Sequence, residues 1–318
     1  MGALQTPFNM IGKSLQNFSE PLVSVIIPTF NRVATLERAL KSVINQSYSN
    51  IEVIVVDDAS TDNTIDLLSN VTDSRLRVIC HDQNKGVAGA TNTGVRAARG
   101  TLIAFQDSDD EWLDGKLSQQ VERFATAPAD CVAVYCTKIV YGRDPEFRRG
   151  KRRVACVPGP AETAFEGDLR ELLWQRNIIS PQTAICTREA LMSLGGFDEK
   201  LRTDQDWDFF SRLSENGTFC FVDEPLVSTY LQTDSISTDT HKGLYNQVII
   251  TNKMKRRGVP RSVLSAHWAR LGFALGRQGH PNRGNTLLRA ALTEKPLVPK
   301  TWARLIINRL RGLRRSLL

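Results

Sequence analysis

No stretch of this chain reaches the roughly 18 consecutive apolar residues that a membrane-spanning helix needs. No charged-then-apolar signal segment opens it either. Cysteine is sparse: Cys80, Cys131, Cys136, Cys156, Cys186 and Cys220 are scattered, without a CxxC pair or the spacing of a zinc site. These absences argue against a disulfide framework and a structural zinc, and six reduced thiols in a cytoplasmic protein are expected. The first apolar run is followed by Pro28-Thr29-Phe30-Asn31 where a dinucleotide-binding dehydrogenase would carry GxGxxG. The glycine-rich, arginine-containing loop with which a nucleotidyltransferase grips a triphosphate is missing from the same place.

What is present is an ordinary globular composition, 41% apolar and 24% charged over 318 residues. That is enough for a large core without staples. The net charge of +7 is unevenly spread. Residues 241–318 hold 17 Lys and Arg against one acid, Glu294, whereas the first 240 residues hold 24 basic and 33 acidic side chains. Two differently tasked regions are expected, the second with a basic face.

Residues 1–20 show no sustained period and read as a loose leader. Val23 to Ile27, Ile51 to Val56, Leu76 to Ile79 and Leu102 to Phe105 are short, apolar, β-branched runs of the kind buried strands have. Between them, Leu36, Leu40, Val43 and Ile44 recur at helical spacing, Ile65, Leu67 and Leu68 mark a second helix capped by Thr61 or Asp62, and Gly86 to Ala98 is a helix of small residues. Strands alternating with helices predict an α/β domain, a Rossmann-like, mainly parallel sheet with helices on both faces. Ligands of such sheets bind beyond the carboxyl ends of the strands. Pro28 to Asn31, Asp57-Asp58 and Asp107 to Asp110 all fall at such ends. Further strands are expected at Cys131 to Tyr141, Ser180 to Cys186 and Thr218 to Val222, helices at Gly167 to Arg176 and Asp204 to Glu215, and a loop over Gly142 to Pro160. From about His241 the chain reads as entirely helical.

Carboxylates at a ligand edge make chemical sense when a divalent cation stands between them and a diphosphate. Asp107-Ser108-Asp109-Asp110, directly after a strand, has that chemistry, and an acidic turn capping the next helix is the plain alternative. Asp57-Asp58-Ala59-Ser60-Thr61-Asp62 adds carboxylates that accept from a base or ribose, beside a simple capping role.

These segments resemble glycosyltransferase family 2. The resemblance is carried by Val23-Ser24-Val25-Ile26-Ile27-Pro28-Thr29-Phe30-Asn31-Arg32, Val55-Val56-Asp57-Asp58-Ala59-Ser60-Thr61-Asp62 and Asn84-Lys85-Gly86-Val87-Ala88. It continues through Ala104-Phe105-Gln106-Asp107-Ser108-Asp109-Asp110, Gly195-Gly196-Phe197-Asp198-Glu199 and Gln205-Asp206-Trp207-Asp208. It runs in order over residues 21–237 and implies a GT-A fold, with inverting transfer of a sugar from a nucleoside diphosphate, UDP foremost. Carried over by position, Pro28, Thr29, Asn31, Asp58, Asn84, Gly86 and Asp107 would bind the nucleotide-sugar. Asp109 would ligate Mn²⁺ or Mg²⁺, and Asp206 would be the catalytic base. The amino end of a helix keeps such a carboxylate ionised, although Asp204, Asp206 and Asp208 also suit plain capping.

Gln182, Thr183, Gly196 and Trp207 are expected to frame the acceptor, a glycan or lipid-linked hydroxyl of cell-envelope or exopolysaccharide synthesis. Trp207 and Trp174 suit either a sugar ring or the core. Two positions depart from the family: Gln205 stands where Glu is common, and Gln232 lies near the place of an expected His. They leave a non-catalytic nucleotide-sugar-binding or scaffold homologue as the alternative.

Residues 238–318 form the basic helical extension. His267-Trp268-Ala269-Arg270-Leu271-Gly272, Gly279 and Leu288 to Leu292 resemble one tetratricopeptide-like hairpin, which cannot bury its face alone and must pack on the domain or on a second copy of the chain. The segment from Trp302 onward sets Arg304, Arg309, Arg311, Arg314 and Arg315 among Leu and Ile. That pattern suits an anionic membrane surface, placing the protein peripherally on its inner face, or a solvated helix covering the domain. No nucleic-acid-binding module is recognisable.

Overall fold

In the computed structural model, residues 20–143, 152–158, 166–230 and 240–316 are described. They divide into two compact units. The larger holds 20–173, 177–200 and 205–230, and the smaller 174–176, 201–204 and 240–316, less the gaps just given.

The larger unit is built on one sheet. Strands β1 (Val23–Thr29), β2 (Ile51–Asp57), β3 (Leu76–Cys80) and β4 (Leu102–Phe105) run parallel in the order β3-β2-β1-β4. Beyond β4 the pairings become mixed: β8 (Ala184–Thr187) joins antiparallel to β4 and to β6 (Cys131–Arg143), and β9 (Thr218–Tyr230) runs parallel to β6. The two-residue β5 (Glu111–Trp112) closes the far edge against β9, and β7 (Arg152–Val157) pairs with β6 off the main path.

Side chains alternate across this sheet because the strand period is two. Ile26, Ile54, Val56, Ile103 and Phe105 enter one core, shared with α3 (Gly86–Ala97), α6 (Arg188–Ser193) and α7 (Gln205–Leu213). Val25, Ile27, Val53, Val55 and Ala104 enter the other, shared with α1 (Leu36–Ile44), α2 (Thr64–Ser69) and α4 (Lys116–Ala125). The small residues of α3 have a packing reason: a Cβ on Gly94 would strike the Ile26 side chain. Phe197 stacks on Phe209 at 4.3 Å between ring centres, and Phe105 meets Phe197 edge-on at 5.5 Å.

Three expectations are corrected. The stretch Gly142 to Pro160 contains a strand, β7, because β6 extends far enough to pair Lys138 to Arg143 with it. Ser180 to Cys186 is not one strand: Pro181–Thr183 forms a 3-10 turn ahead of β8, with Pro181, which has no N–H to give a ladder, at its start. The last strand runs on from Val222 to Tyr230.

The smaller unit is helical: α8 (Thr240–Arg256), α9 (Arg261–Arg277), α10 (Pro281–Glu294) and α11 (Pro299–Ser316). Ser265 Oγ donates to Ala291 O at 2.9 Å, and Gly272 faces Gly284, so α9 and α10 run antiparallel. A Cβ on Gly276 would stand inside the Asn308 amide of α11, which explains the glycine there. Among the described residues no helix is long and apolar enough to cross a membrane, and all six cysteines are free thiols.

Candidate active site

The carboxyl ends of β1 and β2 are clasped together. Asn31, with a left-handed backbone at φ 53°, receives Thr61 N on its Oδ1 at 2.7 Å and donates its own N–H to Ser60 Oγ at 2.8 Å. Asp62 Oδ2 takes Val33 N at 3.2 Å, and its Oδ1 takes Thr64 N at 3.0 Å. Of the two expected caps, it is Asp62 whose side chain reaches the first residue of α2, from one position ahead of the N-cap Asn63. A non-glycine residue held at positive φ is strained, and strain of this kind concentrates at functional sites.

Asp58 is tied inward. Its Oδ1 is 2.7 Å from His81 Nδ1 and accepts from Lys85 N at 2.8 Å, while its Oδ2 accepts from Gly86 N at 2.7 Å. Asn84 Nδ2 donates to Asp58 O at 3.1 Å. Asp58, Asn84 and Gly86 are thus brought together, with Asp58 shaping the loop that carries the other two. His81 was not singled out from the sequence, where nothing links it to a carboxylate 23 positions away. Thr29 and Asp57 end β1 and β2 side by side, and Gln106 follows β4. Thr29 Oγ1, Asp57 Oδ1 and both amide atoms of Gln106 are buried without a hydrogen-bond partner among the described residues. Unsatisfied buried polar atoms on three adjacent strand ends call for water or a ligand to complete them. Pro28 is half-buried beside them.

The acidic run lies beyond β4. Asp110 is buried, accepting from Gln182 Nε2 at 2.7 Å, Thr229 Oγ1 at 2.9 Å and Tyr230 N at 3.3 Å. Burial first, and then the Asp109 carboxylate, push Asp110 up to about 6 against the hydrogen bonds of Gln182 and Thr229. Asp107 is driven well above the usual carboxylate range by burial, by Asp110 and Asp109, and also by Asp206. Asp206, at the start of α7, is within electrostatic reach of Asp107. Lys138 on β6 opposes both shifts and donates to Ser180 Oγ at 2.8 Å. Asp109 is half-buried, with Arg32 NH2 3.9 Å from its Oδ2 and Arg38 NH2 donating to its backbone carbonyl at 2.5 Å.

Asp206 sits in the first turn of α7. Asn177 Nδ2 donates to its Oδ2 at 2.8 Å and Trp207 N to its Oδ1 at 2.8 Å, so both oxygens are aimed. The other residues expected near an acceptor lie deeper. Trp207 is core, its indole N–H on Leu173 O at 2.6 Å. Gln182 is buried under Asp110, Thr183 is buried with its hydroxyl on Ser180 O at 2.7 Å, and Gly196 packs against Asn92 with its carbonyl held by Arg212. Their side chains and backbones support the site from behind. Gln232 lies outside the described residues.

Among the described residues no three His, Cys, Asp or Glu side chains are grouped closely enough to hold a metal ion by themselves. The donor chemistry nonetheless fits a hard divalent cation. The carboxylates of Asp109, Asp110 and Asp206 all act on Asp107, with Lys138 opposing them and Arg32 beside Asp109, and added positive charge relieves that repulsion.

A sheet with a parallel half, helices on both faces and acidic loops at its carboxyl edge is a GT-A-type fold, the scaffold of nucleotide-sugar transferases. The family model described as glycosyl transferase family 2 matches residues 24–195, and the chain belongs to that family. A "PGL/p-HBAD biosynthesis glycosyltransferase" of Mycobacterium tuberculosis is 32% identical over 240 residues, 74% of this chain and 84% of the relative. "UDP-Glc:alpha-D-GlcNAc-diphosphoundecaprenol beta-1,3-glucosyltransferase WfaP" of Escherichia coli is 43% identical over 105 residues, 33% of this chain, and the match spans only 42% of that enzyme's length. Among solved structures, S. aureus TarS 1-349 in complex with UDP-GlcNAc superposes with a TM-score of 0.69 at 18% identity, covering 92% of this chain and 90% of that one. Mannosyltransferase PcManGT from Pyrobaculum calidifontis in complex with GDP-Man and Mn2+ gives 0.59 at 21% identity, covering 94% and 88%.

Proposed function

We propose that the protein transfers a sugar, with inversion, from a UDP-sugar to a hydroxyl of a glycan or lipid-linked acceptor in the building of a cell-envelope or exocellular polysaccharide. The observation that carries this reading is the convergence of Asp206 with the acidic run after β4, because it joins a proton acceptor to a diphosphate site. The names of the relatives favour such acceptors: one works on a diphosphoundecaprenol-linked sugar and another in PGL/p-HBAD biosynthesis.

In this mechanism the nucleoside lies along Pro28 to Asn31 and the loop Asn84 to Gly86 that Asp58 shapes, with Asp107 toward the ribose. Asp206, oriented by Asn177 and Trp207 N, takes the proton of the acceptor hydroxyl as its oxygen attacks the anomeric carbon. The bond from that carbon to the diphosphate breaks as the new one forms, which inverts the centre. A divalent cation, Mn²⁺ or Mg²⁺, held by Asp109 would supply positive charge against the departing diphosphate. Arg32 and Arg38, both at Asp109, add fixed charge of the same sign. Donor hydrolysis or transfer measured across a set of UDP-, GDP- and dTDP-sugars with Mn²⁺ tests the reading. No binding of any nucleoside diphosphate in the presence of metal would refute it.

A further inference from the structure

Helix α11 buries two polar side chains and leaves several large apolar ones exposed. Thr301, Leu305 and Asn308 are buried, with Asn308 Nδ2 donating to Gly272 O of α9 at 3.0 Å. Trp302, Ile306 and Leu310, spaced four residues apart, are 51%, 57% and 55% exposed, and Leu297 just ahead of the helix is 91% exposed. A helix whose only neighbours were its own unit would bury the second set and not the first. The Trp302 indole N–H is already hydrogen-bonded to Pro296 O at 3.0 Å, so the ring needs no polar partner from outside. Such an arc, left in water, marks an interaction surface.

Charge identifies the occupant. The helix carries Lys300, Arg304, Arg309, Arg311, Arg314 and Arg315 and no acid. At 100° per residue, Arg309 borders the apolar arc on one side, and on the other Ile307, 41% exposed, extends the arc toward Lys300. Arg304 and Arg311 lie over the ring of Phe273, away from it. The region's one acid, Glu294, is engaged elsewhere, 2.6 Å from Lys255 and 3.1 Å from Arg261. A second copy of the chain would set two such cationic helices face to face. A nucleic acid would leave the apolar arc wet.

We propose that this face of α11 docks on the surface of an anionic phospholipid membrane. The helix lies in the plane of the interface, with Trp302, Ile306 and Leu310 at the headgroup–acyl boundary and the flanking cations against lipid phosphates. The inference stands on the helix alone and does not depend on the transferase reading.

The test is flotation of the full chain with vesicles of phosphatidylcholine alone and of phosphatidylcholine mixed with phosphatidylglycerol. Wild type is expected to float with the mixed vesicles and to bind neutral ones about tenfold more weakly, with added salt weakening the first binding. The variant W302S/I306S/L310S, altered only on the exposed arc, should stay at the bottom while its thermal shift with UDP and Mn²⁺ matches wild type. Arg309→Glu should lower binding several-fold by itself. Wild type that floats with neither vesicle, or a triple variant that floats like wild type, overturns the proposal. So does a wild type that dimerises without vesicles when the triple variant does not, since the arc then belongs to a second copy. Loss of UDP binding with flotation intact would strike the nucleotide reading and leave this one standing.

Discussion

Asp58 Oδ1 and His81 Nδ1 lie 2.7 Å apart, with both side chains almost wholly withdrawn from solvent. The same carboxylate collects the N–H groups of Lys85 and Gly86. One buried charge therefore joins the end of β2, the end of β3 and the start of α3. Removing it strands three donors in a partly buried site, which typically costs about 2 kcal/mol. Asp58→Ala should lose stability of that order in chemical denaturation and weaken UDP binding. His81→Ala leaves the two backbone donors in place, so its smaller loss should fall more on UDP affinity than on stability. Equal UDP affinity in wild type and both variants would show that the loop Asn84 to Gly86 does not line the nucleotide.

Asp206 and Asn177 form the second pair. If Asp206 takes the acceptor's proton, Asp206→Asn should lower kcat about a thousandfold while UDP affinity stays near that of wild type, because the amide keeps the shape and loses the basicity. Asn177→Ala should cost about tenfold in kcat, the worth of one aiming hydrogen bond, since Trp207 N still holds the other oxygen. Steady-state transfer rates alongside UDP titrations separate the two effects. Wild-type turnover in Asp206→Asn would remove it as the base.

Much of this was legible in the sequence, and the boundary has a physical cause. The parallel half of the sheet shows as β-branched runs alternating with helical periods, and a polar cluster after such a run must stand at the ligand edge. The edge strand β7 carries no such pattern. Arg152 to Val157 is a strand because β6 is long enough to reach it. Pro181 did carry a signal, since a residue without an N–H cannot donate to a strand ladder, and it marks the turn before β8. The partners His81, Lys138 and Asn177 were not legible: each meets its carboxylate only after the chain has folded back across several elements. Gln182 and Trp207 were read as candidates for an acceptor surface, whereas burial makes them the floor beneath Asp110 and the core behind Asp206.

Glu52 holds the opposite end of the sheet. Although it is buried, which pushes its carboxyl up, hydrogen bonds from Ser24 Oγ and from the backbone and side chain of Arg99 bring it below the usual value of 4.5. A group whose folded pKa is depressed stabilises the fold fully above its unfolded value and loses that contribution as pH falls through the folded one. Wild type should therefore lose stability relative to Glu52→Gln as the pH drops below about 4.5, the gap being largest near neutrality. Denaturation midpoints of the two proteins between neutral and acid pH make the comparison. A gap that is constant across the range would rule out the ionised carboxylate as the stabilising species.

Lys116 gives the reverse case at high pH. It is fully buried, donates to Gln120 Oε1 at 2.7 Å and sits 3.9 Å from the centre of the Trp112 ring, with no carboxylate partner among its described hydrogen bonds and ion pairs. Burial lowers its pKa from 10.5 to about 8. Below that value both the folded and unfolded chains hold the proton, and the full cost of a buried ammonium is present. Between about 8 and 10.5 the unfolded chain holds a proton that the folded one has released, so stability rises with pH through this window. The rise attributable to this residue is roughly 3 kcal/mol over the window. Lys116→Met removes it, and the stability of wild type minus that of the variant should climb from pH 7 to pH 10. Subtracting the variant cancels the tyrosine ionisations that both proteins share. A flat difference would mean that the folded protein keeps Lys116 charged throughout, with Gln120 and the Trp112 ring compensating its burial.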